Sequence, residues 1–311
     1  MSRRAPPYAV TPEDRAITDH LRHRHPGEEV AWVDDGELVL HAHRPIPTDP
    51  SSAASVPWSP VIDLIQGIAS IEPGRSHARL RRRLFSSVPL RMMDAAFVKV
   101  QAKRCAVVLS GAAKRIVGAG VPPGRVQGEG PGASRLARAV DVTPAAEEAR
   151  AAVRTAHHLS PPPTGGLPME VAREWALRAR REGELHRRDR PVGAVLELPD
   201  GEIALGAMNR GGEGRSLHAE VNLAQMWWAR RGAPIPKGSR VHVTLQCCRM
   251  CAAVLVALSE DARGPEVIFG EPDPGRFARE TLLQTFDRER PFDRLSDRLA
   301  DRSTAEDLSG G

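Results

Sequence analysis

His218 and Glu220, in the stretch "LHAEVNLAQ", are followed by three cysteines within five positions, Cys247, Cys248 and Cys251, although the whole chain of 311 residues has only four cysteines. Imidazole nitrogen and thiolate sulfur are donors zinc prefers, and a catalytic zinc takes three protein donors and keeps a fourth place for water. His218, Cys248 and Cys251 supply three. A Cys-x-x-Cys spacing where a strand gives way to a helix lets both sulfurs reach one ion from the first helical turn, whose positive potential favours thiolates. Glu220 is then left over as a carboxylate placed to move protons for the bound water, whose pKa zinc lowers from about 15.7 to about 7.

Two blander readings compete. A lone Cys-x-x-Cys in a reducing compartment is also a redox pair or half of a structural zinc site. A structural site wants a fourth protein ligand, and the nearest candidate is His242. That residue alternates with Val241 and Val243 in "SRVHVTL", so it reads as a histidine on a strand face.

The elements that must hold these residues alternate between helix and strand. "MEVAREWALRARREGE" carries an apolar stripe of helical period. "PVGAVLEL" and "EIALGAM" read as strands joined at Pro199-Asp200-Gly201, because Asp-Gly suits the positive φ angles of a tight turn. "LHAEVNLAQMWWARRG" reads as a helix that stops at Gly232. After the strand "SRVHVTL" come an apolar and therefore buried helix, "RMCAAVLVALSE", another strand, "PEVIFG", and a helix over "DPGRFARETLLQTF". The terminal "FDRLSDRLADRSTAEDLSGG" reads as a short amphipathic helix and a frayed tail.

In this order, residues 167–285 resemble the zinc-dependent cytidine deaminase-like superfamily of nucleobase deaminases, with the bacterial toxin-type branch the nearest likeness. His-x-Glu followed by Cys-x-x-Cys is their signature. "GAMNRGG" resembles the strand end where tRNA adenosine deaminases carry Asn-Arg, and "TLQCCRMCAA" resembles their Thr-Leu-Glu-Pro-Cys-x-Met-Cys-Ala. The resemblance implies a three-layer α/β/α sandwich around a mixed sheet, with Zn²⁺ held by His218, Cys248 and Cys251. It also implies Glu220 as proton shuttle and substrate contacts from Asn209, Ala219 and Arg249. Cys247 departs from the family pattern, standing where its proline would be; the bland reading is a small buried residue. Trp227 and Trp228 invite base stacking, but their place near the far end of the helix favours a core role for at least one. Arg215, Arg230 and Arg231 join Arg249 as candidate phosphate contacts.

The first half echoes the second. "VDDGELVL" matches "LPDGEIAL", "GRSHARL" matches "GRSLHAEVNL", and "KRCAVVLSGAAKR" matches "RMCAAVLVALSEDAR", in the same order. This suggests a duplicated fold whose first copy has lost its zinc, with Arg79 in the glutamate's place and Ala102 where Cys248 would be. The expected division is 1–160 for that degenerate copy, 161–285 for the catalytic domain and 286–311 for a helix and tail, with the linker "LSPPPTGGLP" between the first two. A second break falls at 120–134.

Charge follows the same division. Residues 1–160 carry 22 Lys and Arg against 16 Asp and Glu, a net +6, whereas 161–311 carry 22 against 23, a net −1. A basic excess fits nucleic acid as partner, with "RLRRRLF" (79–85) the densest stretch. With no run of eighteen apolar residues and no apolar leader, a cytoplasmic protein is expected, with no membrane partner; a specialised export route leaves no mark in sequence. The function that follows is hydrolytic deamination of a base in DNA or RNA, cytosine before adenine, with free nucleotides as the alternative substrate. A zinc-stabilised nucleic-acid-binding protein without activity is the reading of another class; an intact Glu220 speaks against it. Oligomeric state is not readable.

Overall fold

The computed structural model describes residues 10–46, 58–102, 104–108, 136, 138–158, 166–181, 190–211, 216–279, 281–285 and 293–294. The break at 120–134, residues 159–165 of the linker, Arg215 and the tail beyond Arg294 lie outside them. The chain divides into two units, residues 1–52 with 58–148 and residues 53–57 with 149–311.

In the first unit, helix α1 (Pro12–Arg24) begins at a reciprocal cap: the Thr11 hydroxyl accepts from the Asp14 N–H at 3.1 Å while the Asp14 carboxylate accepts from the Thr11 N–H at 2.8 Å. Strands β1 (Glu28–Asp34) and β2 (Val39–Pro45) form an antiparallel hairpin, turned at Gly36 with φ +96°. Helix α2 (Pro60–Ile71), the short α3 (Ser76–Leu80), β3 (Arg83–Ser86), α4 (Met92–Gln101), β4 (Arg104–Val107) and β5 (Ala139–Asp141) follow, then α5 (Thr143–His158), in which the division between units falls. The sheet order is β4-β3-β1-β2-β5. Ile17 and Leu21 of α1 pack on Val30, Trp32, Val39 and Phe85. The Trp32 indole stacks on Phe85 at 4.0 Å and donates to the Thr18 hydroxyl at 2.9 Å, so the polar edge of a fully buried ring is satisfied.

The second unit follows the expected sequence of elements: α6 (Pro168–Arg181), β6 (Gly193–Glu197), β7 (Ile203–Met208), α7 (Ala219–Arg231), β8 (Arg240–Leu245), α8 (Arg249–Ala257) and β9 (Glu266–Glu271). Its sheet order is β10-β9-β8-β6-β7, with β10 the two residues Asp293–Arg294. β6 pairs antiparallel with both β7 and β8, and β9 runs parallel to β8. With helices on both faces this is the mixed-sheet α/β/α sandwich. The turn expected at Asp200-Gly201 is present, with Gly201 at φ +89°, and α7 ends at Gly232 in the left-handed region. Among the described residues no helix is long and apolar enough to cross a membrane.

One expectation at the C-terminal end fails. The helix over "DPGRFARETLLQTF" is a single 3₁₀ turn (Arg276–Ala278) and a short α9 (Leu282–Thr285), interrupted by Arg279, which is extended and whose carbonyl accepts from the Arg249 side chain at 2.9 Å. Asp293–Arg294 pair as a strand with β9, and the rest of 286–311, where a helix and tail are expected, lies outside the described residues.

The four-strand cores of the units are the same: an antiparallel hairpin, a third strand antiparallel to the first, and a fourth parallel to the third. The pairing of first with third and of third with fourth strand agrees in register, whereas the β6–β7 hairpin carries a bulge at Leu196/Glu197 that β1–β2 lacks. The Val30 N–H donates to the Ser87 hydroxyl at 2.9 Å, and at the matching place the Gly193 N–H donates to the Thr244 hydroxyl at 3.2 Å. This topology corrects the sequence echo in its details. The counterpart of α7 is α2, not the stretch "GRSHARL", which forms α3, and the counterpart of α8 is α4. Cys105 lies on strand β4 and Ala102 is the C-cap of α4. Arg79 pairs with Asp35 and Glu72 at 3.2 and 3.0 Å. The echo follows composition, whereas the fold places a helix directly before each of those stretches.

Helix α6 lies against the sheet because two strand positions have no side chain. A Cβ on Gly193 would stand 1.9 Å from the Ala172 carbonyl oxygen, and one on Gly206 would stand 2.0 Å from the Trp175 indole nitrogen. Gly193→Ala is therefore expected to destabilise the second unit by about 1–3 kcal/mol, read as a lower denaturation midpoint; an unchanged midpoint would show that α6 is free to shift.

Candidate active site

Two helix starts build the site. His218 is the N-cap of α7, with the extended backbone an N-cap requires, and Cys248 is the N-cap of α8, with Cys251 one turn in. Strand β8 delivers the cysteines, and the Asn222 side-chain amide holds the His218 approach by donating to the Met208 and Leu217 carbonyls at 2.9 and 3.2 Å. The result brings the three expected donors together: His218 Nδ1 lies 3.7 Å from Cys248 Sγ and 3.4 Å from Cys251 Sγ, and the two sulfurs are 3.5 Å apart.

These separations test the fit to zinc. With Zn–S near 2.3 Å and Zn–N near 2.0–2.1 Å, tetrahedral donors stand about 3.5–3.8 Å apart, and the observed triangle meets that. Its chemistry fits as well. The hydrogen bond from Cys251 holds the Cys248 thiol well below its ordinary range, while burial and then the neighbouring sulfur push Cys251 well above it. A divalent cation at this place would favour the thiolate form of both.

Glu220, in the first turn of α7, is 3% exposed, and burial pushes its carboxyl up from the ordinary range against the pull of His218. Cys247 is the small buried residue expected, and burial first, then the neighbouring Glu220 carboxylate, pushes its thiol well up from the ordinary range.

An open cavity meets this group, lined by His218, Glu220 and Cys248 on one side and by Asn209, Leu245 and Gln246 beside them. Its rim includes Arg190 and Asp273, paired at 2.5 Å. Asn209 lines the cavity as expected, but its amide also braces the entry to β6, accepting from the Val192 N–H at 2.8 Å and donating to the Arg190 carbonyl at 2.9 Å. Neither Ala219 nor Arg249 is among the cavity-lining residues: Ala219 is fully buried in the first turn of α7, and Arg249 is tied to Arg279. Trp227 is core, with its indole donating to the Pro234 carbonyl at 3.1 Å; Arg231 lies over its ring at the helix end away from the site. His242 pairs with Glu197 at 2.6 Å on the sheet and is no fourth donor to this group.

Sequence reasoning missed Arg190, Gln246 and Asp273. Gln246 was within reach, since it precedes the cysteines at the end of β8. Arg190 and Asp273 are far apart in the chain, and no local pattern joins them.

The first unit fills the corresponding positions differently. Ser59 caps α2 as His218 caps α7, Arg91 caps α4 as Cys248 caps α8, and Asp94 stands where Cys251 does. The Ser59 hydroxyl donates to Asp94 at 2.5 Å, both residues being buried, and Arg91 donates to Glu29 at 2.9 Å. Val61 falls at the place of Glu220, and Arg44, matching Asn209, pairs with Asp63 and with Glu147.

The family model of the Bd3614-like deaminases matches residues 183–294. A tRNA-specific adenosine deaminase of Bacillus subtilis is 35% identical over 126 residues, covering 40% of this chain and 72% of that protein. One from Agrobacterium fabrum is 34% identical over 120 residues, 38% of this chain and 72% of that one. The tRNA(Ile)-lysidine synthase of Thermus thermophilus is 40% identical over 114 residues; the match takes 36% of this chain but spans only 19% of the synthase. A solved structure from a study of A-to-I editing by tRNA:A34 deaminases aligns with 29% identity over 41% of this chain and 94% of that one, at a TM-score of 0.31. With the helix-capping His-x-Glu and Cys-x-x-Cys on their expected elements, and the two adenosine deaminases matched over 72% of their length, the chain belongs to the cytidine deaminase-like superfamily.

Proposed function

We propose that the second unit is a zinc-dependent hydrolytic deaminase of a nucleobase carried in nucleic acid, with adenine in RNA as the first candidate substrate. The observation that carries this reading is the convergence of His218, Cys248 and Cys251 to within 3.4–3.7 Å beside a buried glutamate at an open cavity. Zinc held by those three residues would supply Lewis acidity, lowering the pKa of a coordinated water from about 15.7 to about 7.

This chain's own residues do the rest. Glu220 accepts a proton from the attacking water and returns protons to the ring nitrogen and to the departing amine. Oxygen bonds to the ring carbon, the exocyclic C–N bond breaks, and ammonia leaves. Burial raises the Glu220 carboxyl above the ordinary carboxylate range, the direction an acid–base group needs. The Asn209 amide holds the cavity wall against which sugar or base would lie. A base in a duplex must first leave its stack to reach such a cavity.

Adenine is put before the cytosine expected from sequence because the matching relatives are named for adenosine in tRNA, and the Cys-Arg-Met-Cys-Ala-Ala stretch leans the same way. Polymeric substrate is supported by the basic excess of the first 160 residues. We take the first unit as a degenerate copy that offers phosphate contacts without chemistry. Arg81 and Arg82 are exposed there, whereas Arg83 is drawn over Phe85 and onto Asp14.

Glu220→Ala is expected to keep zinc and lose at least about 100-fold in activity, read as ammonia release with base-resolved sequencing of single- and double-stranded RNA and DNA and of free nucleotides. Cys248→Ala is expected to lose activity together with the zinc held at this site. Conversion confined to free nucleotides would overturn the polymer reading, and full activity in Glu220→Ala would overturn the mechanism. Arg81→Glu with Arg82→Glu is expected to weaken RNA binding several-fold at low salt and to reduce the salt slope by about 1–2, leaving turnover of a nucleotide-sized substrate unchanged; unaltered RNA affinity would remove the first unit from the binding surface.

A further inference from the structure

A second group of metal-type donors lies in the first unit. His25 is the C-cap of α1, Glu28 opens β1, and His43 stands on β2. One donor atom from each lies within 4.8 Å of the other two. His43 Nδ1 meets the Glu28 carboxylate, and His25 Nδ1 lies 3.8 Å from the same Oε2 atom. The two imidazoles stack with centroids 3.7 Å apart.

From these residues we propose a zinc site in the first unit, with His25, Glu28 and the Nδ1 atom of His43 as its ligands. Three further observations support a cation rather than a chance gathering. The other nitrogen of His43, Nε2, lies 3.1 Å from the Asp141 carboxylate. A carboxylate on one ring nitrogen fixes the tautomer and turns the other nitrogen to the metal, the usual outer arrangement of a histidine ligand. Asp141 is itself held, accepting from the Thr143 N–H at 2.9 Å. Finally, His41 is 2% exposed, its ring stands edge-on to His25 at 5.3 Å, and neither of its nitrogens has a hydrogen-bond partner. Nε2 of His25 is buried without one as well. Orphaned buried polar atoms are costly, and all five side chains gathered here, His25, Glu28, His41, His43 and Asp141, are imidazoles or carboxylates, donor types that zinc takes.

His41 and His43 share one face of β2, as residues two apart on a strand do. β5 then brings Asp141 opposite His41 on the neighbouring strand. The hairpin, the end of α1 and β5 together present nitrogen and oxygen donors only, which suit zinc, cobalt or nickel better than calcium.

The test is metal content of the full chain after loading with Zn²⁺ and removal of excess. The wild type is expected to hold about two zinc ions per chain and the His25→Ala/His43→Ala chain about one. The Cys248→Ala chain, loaded with Co²⁺, is expected to retain about one ion with ligand-field bands but no thiolate charge-transfer band. That second measurement leaves the first unit unaltered, so misfolding of the histidine variant cannot mimic the result. A wild type holding one zinc ion, or a Cys248→Ala chain holding no cobalt, would overturn the site.

Discussion

Two helices of the second unit begin at one point, and the candidate active site depends on that meeting. An N-cap residue leaves the helix with an extended backbone and a side chain directed at the first turn. Placing histidine at one such position and cysteine at another turns two ordinary caps into donors, and the second cysteine one turn in completes the triangle. The sheet sets the spacing. β6 and β8 pair at fixed register, and the glycine at position 193 lets α6 close on the sheet's other face.

The first unit answers the same geometric problem with other caps. Its two helices also begin at one point, and the caps are Ser59 and Arg91, with Asp94 one turn in. A 2.5 Å hydrogen bond between Ser59 and Asp94 takes the place of the coordination that the other unit's residues fit. Burial pushes the Asp94 carboxyl up, so its environment tolerates a hydroxyl partner better than an isolated charge. The donors that this unit does gather lie around β2, where His41, His43 and Glu28 meet.

Much of the second unit was legible in the chain because its signals are local. The Asp200-Gly201 turn, the Gly232 stop and the period of the helices each need only a few residues, and the His-Ala-Glu and Cys-x-x-Cys spacings need only their own helices. The first unit was legible in outline, through its Asp-Gly hairpin and Thr11 cap, but not in correspondence. There the matching residues are Ser59, Arg91 and Asp94, none of which resembles a zinc ligand, so likeness of sequence points instead to the stretches that hold Arg79 and Ala102. What joins Arg190 to Asp273, or Cys247 to Glu220, is contact between elements distant in sequence, and no composition or period encodes that. The helix expected over "DPGRFARETLLQTF" breaks at Arg279, whose extended backbone gives its carbonyl to Arg249 of a distant element, a contact that local propensity does not encode.

The central claim is that His218, Cys248 and Cys251 hold one zinc ion with a place left for water. X-ray absorption at the zinc edge tests this directly, on a zinc-loaded chain in which His25 and His43 are replaced by alanine. The account predicts two sulfurs at about 2.3 Å and two nitrogen or oxygen neighbours at about 2.0–2.1 Å. A shell without sulfur, or one of four sulfurs, would contradict it.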